Sequence, residues 1–167
     1  MLLLTAILGL SVICGYGITK DAFGEPLSFE GHVWSIQNND SGLQTWLTYG
    51  KWKLNEIPAN TSSVAGKNES FSANLTMIKI DGTYSHKHML TDLKVTDLRL
   101  NNETTILSGT VTLITDAMDK IPGLVNQTIF GIPVKIQMIN NRTITIDMDG
   151  NKTNNHFGNL PIYGNIS

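Results

Sequence analysis

A chain of 167 residues, 41% hydrophobic and 16% charged, is the size of one domain and can bury a core, although soluble proteins usually carry roughly 25% charge. Twelve Lys and Arg against fourteen Asp and Glu leave a net charge of −2, with no basic or acidic run. A nucleic-acid surface needs clustered Lys and Arg, so that class is excluded.

From Leu2 to Ile18 there is no charged side chain, and residues 2–12 are almost wholly apolar. Such a run is typical of the apolar region of an export signal. Gly15-Tyr16-Gly17 has the small-x-small form of a cleavage site, so residues 1–17 read as a signal and the mature chain starts near Ile18. Only the amino terminus supplies positive charge, which leaves retention as a membrane anchor as the alternative. A span wants about 20 apolar residues, and this run falls short. Contact with a membrane is expected only through this segment. The sole cysteine, Cys14, lies within it, so the mature domain has no thiol, disulfide or Cys-ligated metal.

Nine Asn-x-Ser/Thr sequons follow, at Asn39, Asn60, Asn68, Asn74, Asn102, Asn126, Asn141, Asn151 and Asn165. With 16 Asn and 29 Ser plus Thr, composition alone predicts about three. The excess argues for N-glycosylation of an extracellular or cell-surface protein. The bland alternative is an Asn/Thr-rich β-protein that collects sequons by composition.

Residues 26–166 read as one all-β domain. Residues 28–37 alternate, with His32, Trp34 and Ile36 on one face and Phe29 and Val33 on the other. Residues 43–54 read as two strands bent at Gly50, and residues 55–68 as a long polar loop. In residues 69–80, Phe71, Ala73, Leu75 and Met77 share a face and the Asn74 sequon lies opposite. Asp81-Gly82 turns the chain into residues 88–100, where Met89, Leu93 and Val95 share a face but Leu98 has the other parity. A bulge near Thr96-Asp97 reconciles them. Residues 104–115 form another strand, and residues 116–127 a helical turn or covering loop interrupted by Pro122-Gly123. Ile132, Val134, Ile136 and Met138 alternate, as do Ile144, Ile146 and Met148. Both inward sets are even-numbered, so the connection at Asn140-Asn141-Arg142 must be odd in length. A last short strand is expected over 160–163. About eight strands without a long helix mean one antiparallel sandwich or barrel.

The strongest chemical signal is His86-x-His88. Residues two apart on a strand project from one face, so both imidazoles can approach one ion, with His156 as the natural third ligand. By parity the pair lies on the face shared with Leu90, Asp92 and Lys94, the exposed or half-exposed side. His32 suits the role less, because it shares a face with Trp34 and Ile36. Neutral imidazoles suit copper or zinc, and Met77 and Met89 are candidate soft ligands, although methionine in a strand is usually core. A hydrogen-bonding or interface role, or plain surface histidines, are the alternatives. Asp147-Met-Asp149-Gly150 resembles a calcium loop but lacks the glycine and later acid of that pattern, and a β-turn carrying Asn151 is preferred. Trp34, Trp46 and Trp52 are core candidates before they are sugar-stacking ones. No Gly-x-Ser-x-Gly or phosphate-cradling loop is present, and the expected mature domain has no thiol. The only enzymatic route is hydrolytic zinc at the three histidines with an open position.

Gly50-Lys-Trp52, Met77-x-x-x-Asp81-Gly-Thr83-x-x-His86-x-His88 and His156-Phe-Gly158-x-x-Pro161-Ile-Tyr-Gly164 together resemble small exported proteins of unknown function from ammonia-oxidising archaea, over most of the mature chain. The resemblance implies an archaeal cell surface, dense glycosylation and copper-rich physiology. Gly-x-Trp also resembles the first strand of lipocalins, but there it precedes most of the barrel and here it follows a strand. Three functions are carried forward: a metal-binding module, a structural envelope component contacting other proteins, and a carrier with a Trp-lined cavity.

Overall fold

A computed structural model describes residues 27–38, 41–57, 68–101, 103–116 and 126–167. The signal or anchor at 1–17 and the sequons at Asn39, Asn60 and Asn102 lie outside them, as does most of the polar loop expected over 55–68 and of the helical turn or covering loop expected over 116–127; residues 55–57, 68, 116 and 127 are strand instead. Eight antiparallel strands form in chain order: β1 (Leu27–Asn38), β2 (Gln44–Ile57), β3 (Asn68–Lys79), β4 (His86–Leu100), β5 (Thr104–Asp116), β6 (Gln127–Ile139), β7 (Thr143–Met148) and β8 (Ile162–Ile166). Each pairs with the next, and β8 closes on β1 through Gly31↔Ile166, His32↔Asn165 and Val33↔Gly164. The all-β expectation is thereby resolved as a barrel. Closure removes the free sheet edges that a sandwich would have to protect.

The inward set follows from the alternation. Phe71, Ala73, Leu75 and Met77 of β3, Ile132, Val134, Ile136 and Met138 of β6, and Ile144 and Ile146 of β7 are all at most 5% exposed. Lysines at 51, 53, 87, 94 and 135 point outward. An apolar lumen with a charged exterior is the reverse of the arrangement in a transmembrane barrel. Among the described residues no helix is long and apolar enough to cross a membrane.

Several local expectations are met. Ile139↔Thr143 closes the β6–β7 hairpin over the three residues Asn140, Asn141 and Arg142. Asn140 and Asn141 both have positive φ, and Arg142 N–H donates to Ile139 O, as a type I′ turn requires. A register shift falls between Val95 and Asp97, where the switch from Val95 to Leu98 calls for one.

Three readings need correction. Gly50 does not bend the chain: β2 runs unbroken through it, and a Cβ there would lie 2.0 Å from Asn74 O. Close approach to β3, not a turn, is why glycine stands at 50. Trp34 is 70% exposed whereas Trp52 is 2% exposed, so the three tryptophans line no common cavity. The third correction concerns the histidines. A second shift in β4, between Thr91 and Lys94, accompanies left-handed Asp92 (φ 54°). One inserted residue flips the facing of everything on one side of it. Leu93 and Val95 therefore point inward as expected, but upstream of the bulge it is His86, His88 and Leu90 that point inward, at 1%, 2% and 0% exposure. Met89 faces out, which removes it as a candidate ligand beside them.

Candidate metal centre

The upper end of the barrel, where β1 ends and β2 begins, holds the site. His86 opens β4, delivered by the hairpin from β3. Asp81 Oδ1 accepts from Thr83 N (2.9 Å) and Thr83 Oγ1 (2.6 Å), and Gly82 takes φ 83°. Those hydrogen bonds, the Thr83 hydroxyl first, hold the Asp81 carboxyl below the usual carboxylate range. Tyr84 then adopts φ 55°, a region that costs energy for a non-glycine residue. Its carbonyl is thereby turned to accept from His86 Nδ1 at 2.9 Å.

His88 sits two residues on, opposite Leu75 and Thr115, with Nδ1 3.0 Å from Thr115 Oγ1. His156 comes from the long β7–β8 connection, folded down as a cap. Asp149 Oδ1 accepts from Asn151 N (2.9 Å), so Asp149 serves the turn. His156 N–H donates to Thr153 O (3.0 Å) and Gly158 N–H to Asn155 O (2.9 Å). Asn154 and Asn155, both with positive φ, reverse the chain just before the histidine. Gly158 (φ 73°) lies so close to β1 that a Cβ would be 2.3 Å from Asn38 O.

One buried side chain ties the cap to the barrel wall. Gln37, at 0% exposure, turns its amide so that Nε2 donates to Phe157 O (2.7 Å) and Leu160 O (3.1 Å), while Oε1 accepts from Ser35 Oγ (2.9 Å). The sequence reading missed Gln37. Its signal was present, because a glutamine at the inward parity of Val33 needs buried partners.

The three rings converge through Nε2. His156 Nε2 is 2.9 Å from His86 Nε2 and 3.0 Å from His88 Nε2, and the three candidate ligand atoms all lie within 4.8 Å of one another. Nitrogens around an ion with bonds of about 2.0–2.1 Å in a tetrahedral shell are about 3.3–3.4 Å apart, so the two contacts of His156 would open by a few tenths of an ångström while His86 and His88 stay within the 4.8 Å span of the group. A carbonyl only accepts, so Tyr84 O fixes the proton of His86 on Nδ1. With that proton on Nδ1, Nε2 is the nitrogen that faces the group and can offer a lone pair. His156 Nε2 carries either one proton or one lone pair, so among neutral rings it completes only one of its two short contacts. A cation accepts all three lone pairs at once, and the remote nitrogens of His86 and His88 are already held as metal-binding histidines require.

Burial reinforces neutrality. Desolvation, then the charges of His156 and His86, push His88 down to about 2. Desolvation, then His86, push His156 down to about 4. Both rings are thus free bases at neutral pH, the form that binds metal. Aromatic side chains wall the group: Trp46 meets His86 edge-on at 5.2 Å, and Phe157 lies 4.8 Å from His88 and 5.4 Å from His156. Lys79 Nζ stands 4.1 Å from the Tyr84 ring and 5.9 Å from Trp46, bracing the rim by cation–π contact.

The structure brings together all three predicted ligands, His86, His88 and His156, which could hold a metal ion. His32 lies on the outer wall, where its N–H donates to Asn165 Oδ1 (3.2 Å). The sequons Asn74, Asn126, Asn141, Asn151 and Asn165 are all exposed. Set against protein-family models, curated proteins and solved structures, the chain matches none.

Proposed function

We propose that this barrel is an exported, N-glycosylated metal-binding protein of the cell surface, holding copper or zinc at His86, His88 and His156. The observation that carries the reading is the meeting of three Nε2 atoms at 2.9 and 3.0 Å beneath a dedicated cap. Imidazole ligands without thiolate or carboxylate suit copper(II) and zinc. Copper binds such a site more tightly by the general order of divalent-metal affinities, and the resemblance to exported proteins of ammonia-oxidising archaea favours it as well. Nine sequons and the apolar segment at 2–12 support export. Three protein ligands leave a coordination position for water or a small exogenous ligand.

Metal analysis of the secreted protein tests this reading, alongside His86→Ala/His88→Ala. One equivalent of copper or zinc in the parent and none in the variant is expected. Equal metal content in the two proteins sinks it.

A further inference from the structure

The outer wall carries an aromatic row that the metal centre does not use. Trp34 is 70% exposed, Tyr49 44% and Tyr163 46%. Trp34 pairs with Tyr49 across β1 and β2. One step beyond Val33↔Gly164 in the same register, Tyr163 falls beside Trp34 on the other side. Three exposed aromatic residues thus occupy neighbouring outward positions on three adjacent strands, and Ile36 and Leu47 (47% and 38% exposed) extend the patch toward the upper end. A contiguous exposed apolar patch is an observation that calls for an occupant.

The neighbouring outward row says which. His32 pairs with Asn165 on one side and Lys51 on the other, and Lys51 pairs with Asn74. All four are exposed, and both ends of the row are sequon asparagines. Successive outward rows are about 6.8 Å apart along a strand. Diagonal neighbours at about 7–8 Å remain within reach of aromatic side chains. A saccharide on Asn165 therefore starts one row from Tyr163 and Trp34, and a saccharide on Asn74 one row from Tyr49. Thr76, the acceptor hydroxyl of the Asn74 sequon, is itself paired with Tyr49. Pyranose rings present an apolar C–H face with a polar rim, which matches an aromatic face bordered by Lys51 and Thr76.

We infer that N-linked saccharides on Asn74 and Asn165 fold back over the Trp34, Tyr49 and Tyr163 row and cover it. The inference rests on the proposed export and glycosylation, and it adds a specific seat for two of the nine modifications. It accounts for aromatic residues on an exposed wall of a closed barrel, where no further strand can add.

The test uses the full chain secreted from an N-glycosylating host, with occupancy of Asn74 and Asn165 read by glycopeptide mass spectrometry. Collisional quenching of Trp34 emission by acrylamide is taken as the difference between the parent and Trp34→Phe. Covering one face of the indole removes about half the area open to collision. Enzymatic removal of the glycans from the folded protein should therefore raise the Trp34 quenching constant about twofold, and Thr76→Ala/Ser167→Ala should reproduce the rise. Occupied sites with quenching unchanged after removal overturn the covering alone. Unoccupied Asn74 and Asn165 overturn it too, and in that case glycosylation at these positions fails with it.

Discussion

The lower and upper halves of the barrel interior are built from the same alternation and do opposite things. The lower half is lined by apolar side chains: Leu54, Phe71, Leu93, Leu107, Ile136 and Ile144 are at most 3% exposed, and the polar handle of the buried Trp52 there, Nε1–H, donates to Asn165 O (3.1 Å). Among the described residues, the buried polar side chains of the interior and cap, Ser35, Gln37, Thr48, His86, His88, Thr115 and Thr153, all belong to the upper half or its cap. Burying a polar group costs free energy unless it is hydrogen-bonded, and most of these are paired. Thr48 Oγ1 is buried with no hydrogen-bond partner, so this layer tolerates imperfect satisfaction. One half holds the fold and the other presents nitrogen donors.

The comparison breaks most sharply at the ligands. His86→Ala/His88→Ala should weaken zinc and copper binding roughly 100-fold or more, since even loss of a supporting partner costs about 10–100-fold. Titration calorimetry reads the affinity, and circular dichroism should still report the barrel. Leu107→Ala, in the lower core, should do the reverse. It should lose about 2–5 kcal/mol of unfolding free energy, measured with denaturant, while the folded protein keeps its metal stoichiometry. If Leu107→Ala changes metal affinity as strongly as the histidine variant, the two halves are not separate.

Gln37→Leu sharpens the boundary, because it removes the tie between wall and cap without touching a ligand. Metal affinity should fall about 10–100-fold while His86 and His88 stay in place. Unchanged affinity would show that the cap holds His156 without Gln37.

Acidity acts on the histidines of the upper half. His88 and His156 titrate lower in the folded chain (about 2 and about 4) than the 6.5 of an unfolded histidine. Their contribution is fully present above about pH 6.5 and is lost as pH falls toward those folded values, because the unfolded chain takes up the protons first. The metal-free protein should therefore show a lower urea midpoint at pH 5 than at pH 7, and the loss should shrink in His86→Ala/His88→Ala. Metal affinity should fall over the same range, since protons compete for the ligands. The smallest effect belongs to the outer wall, where Trp34→Ala in the unglycosylated protein should change stability by no more than about 0.5 kcal/mol.

Much of this was readable in the residues. Clean period-two runs at Ile132–Met138 and Ile144–Met148 announced β6 and β7, and equal parity on the two sides foretold a three-residue turn at Asn140–Arg142. His86, His88 and His156 were identifiable as a set because two lie on one face and few other histidines exist. Their direction was not readable. Met89 and Leu90 are both apolar, so the pattern alone offers either facing, and it is the left-handed Asp92 that decides between them. A one-residue insertion leaves no hydrophobic signature of its own. Gln37 was missed for a related reason, since its two acceptors, Phe157 O and Leu160 O, lie more than 100 residues away in the chain. Trp34 shows the limit of composition: tryptophan in a strand is usually core, yet the register of β1 fixes this one on the outside.

X-ray absorption at the metal edge of the copper- or zinc-loaded protein tests the central claim most directly. Three imidazole nitrogens at about 2.0–2.1 Å, with the outer-shell scattering of histidine rings, is the predicted result. A shell of oxygen donors without imidazole scattering would contradict it.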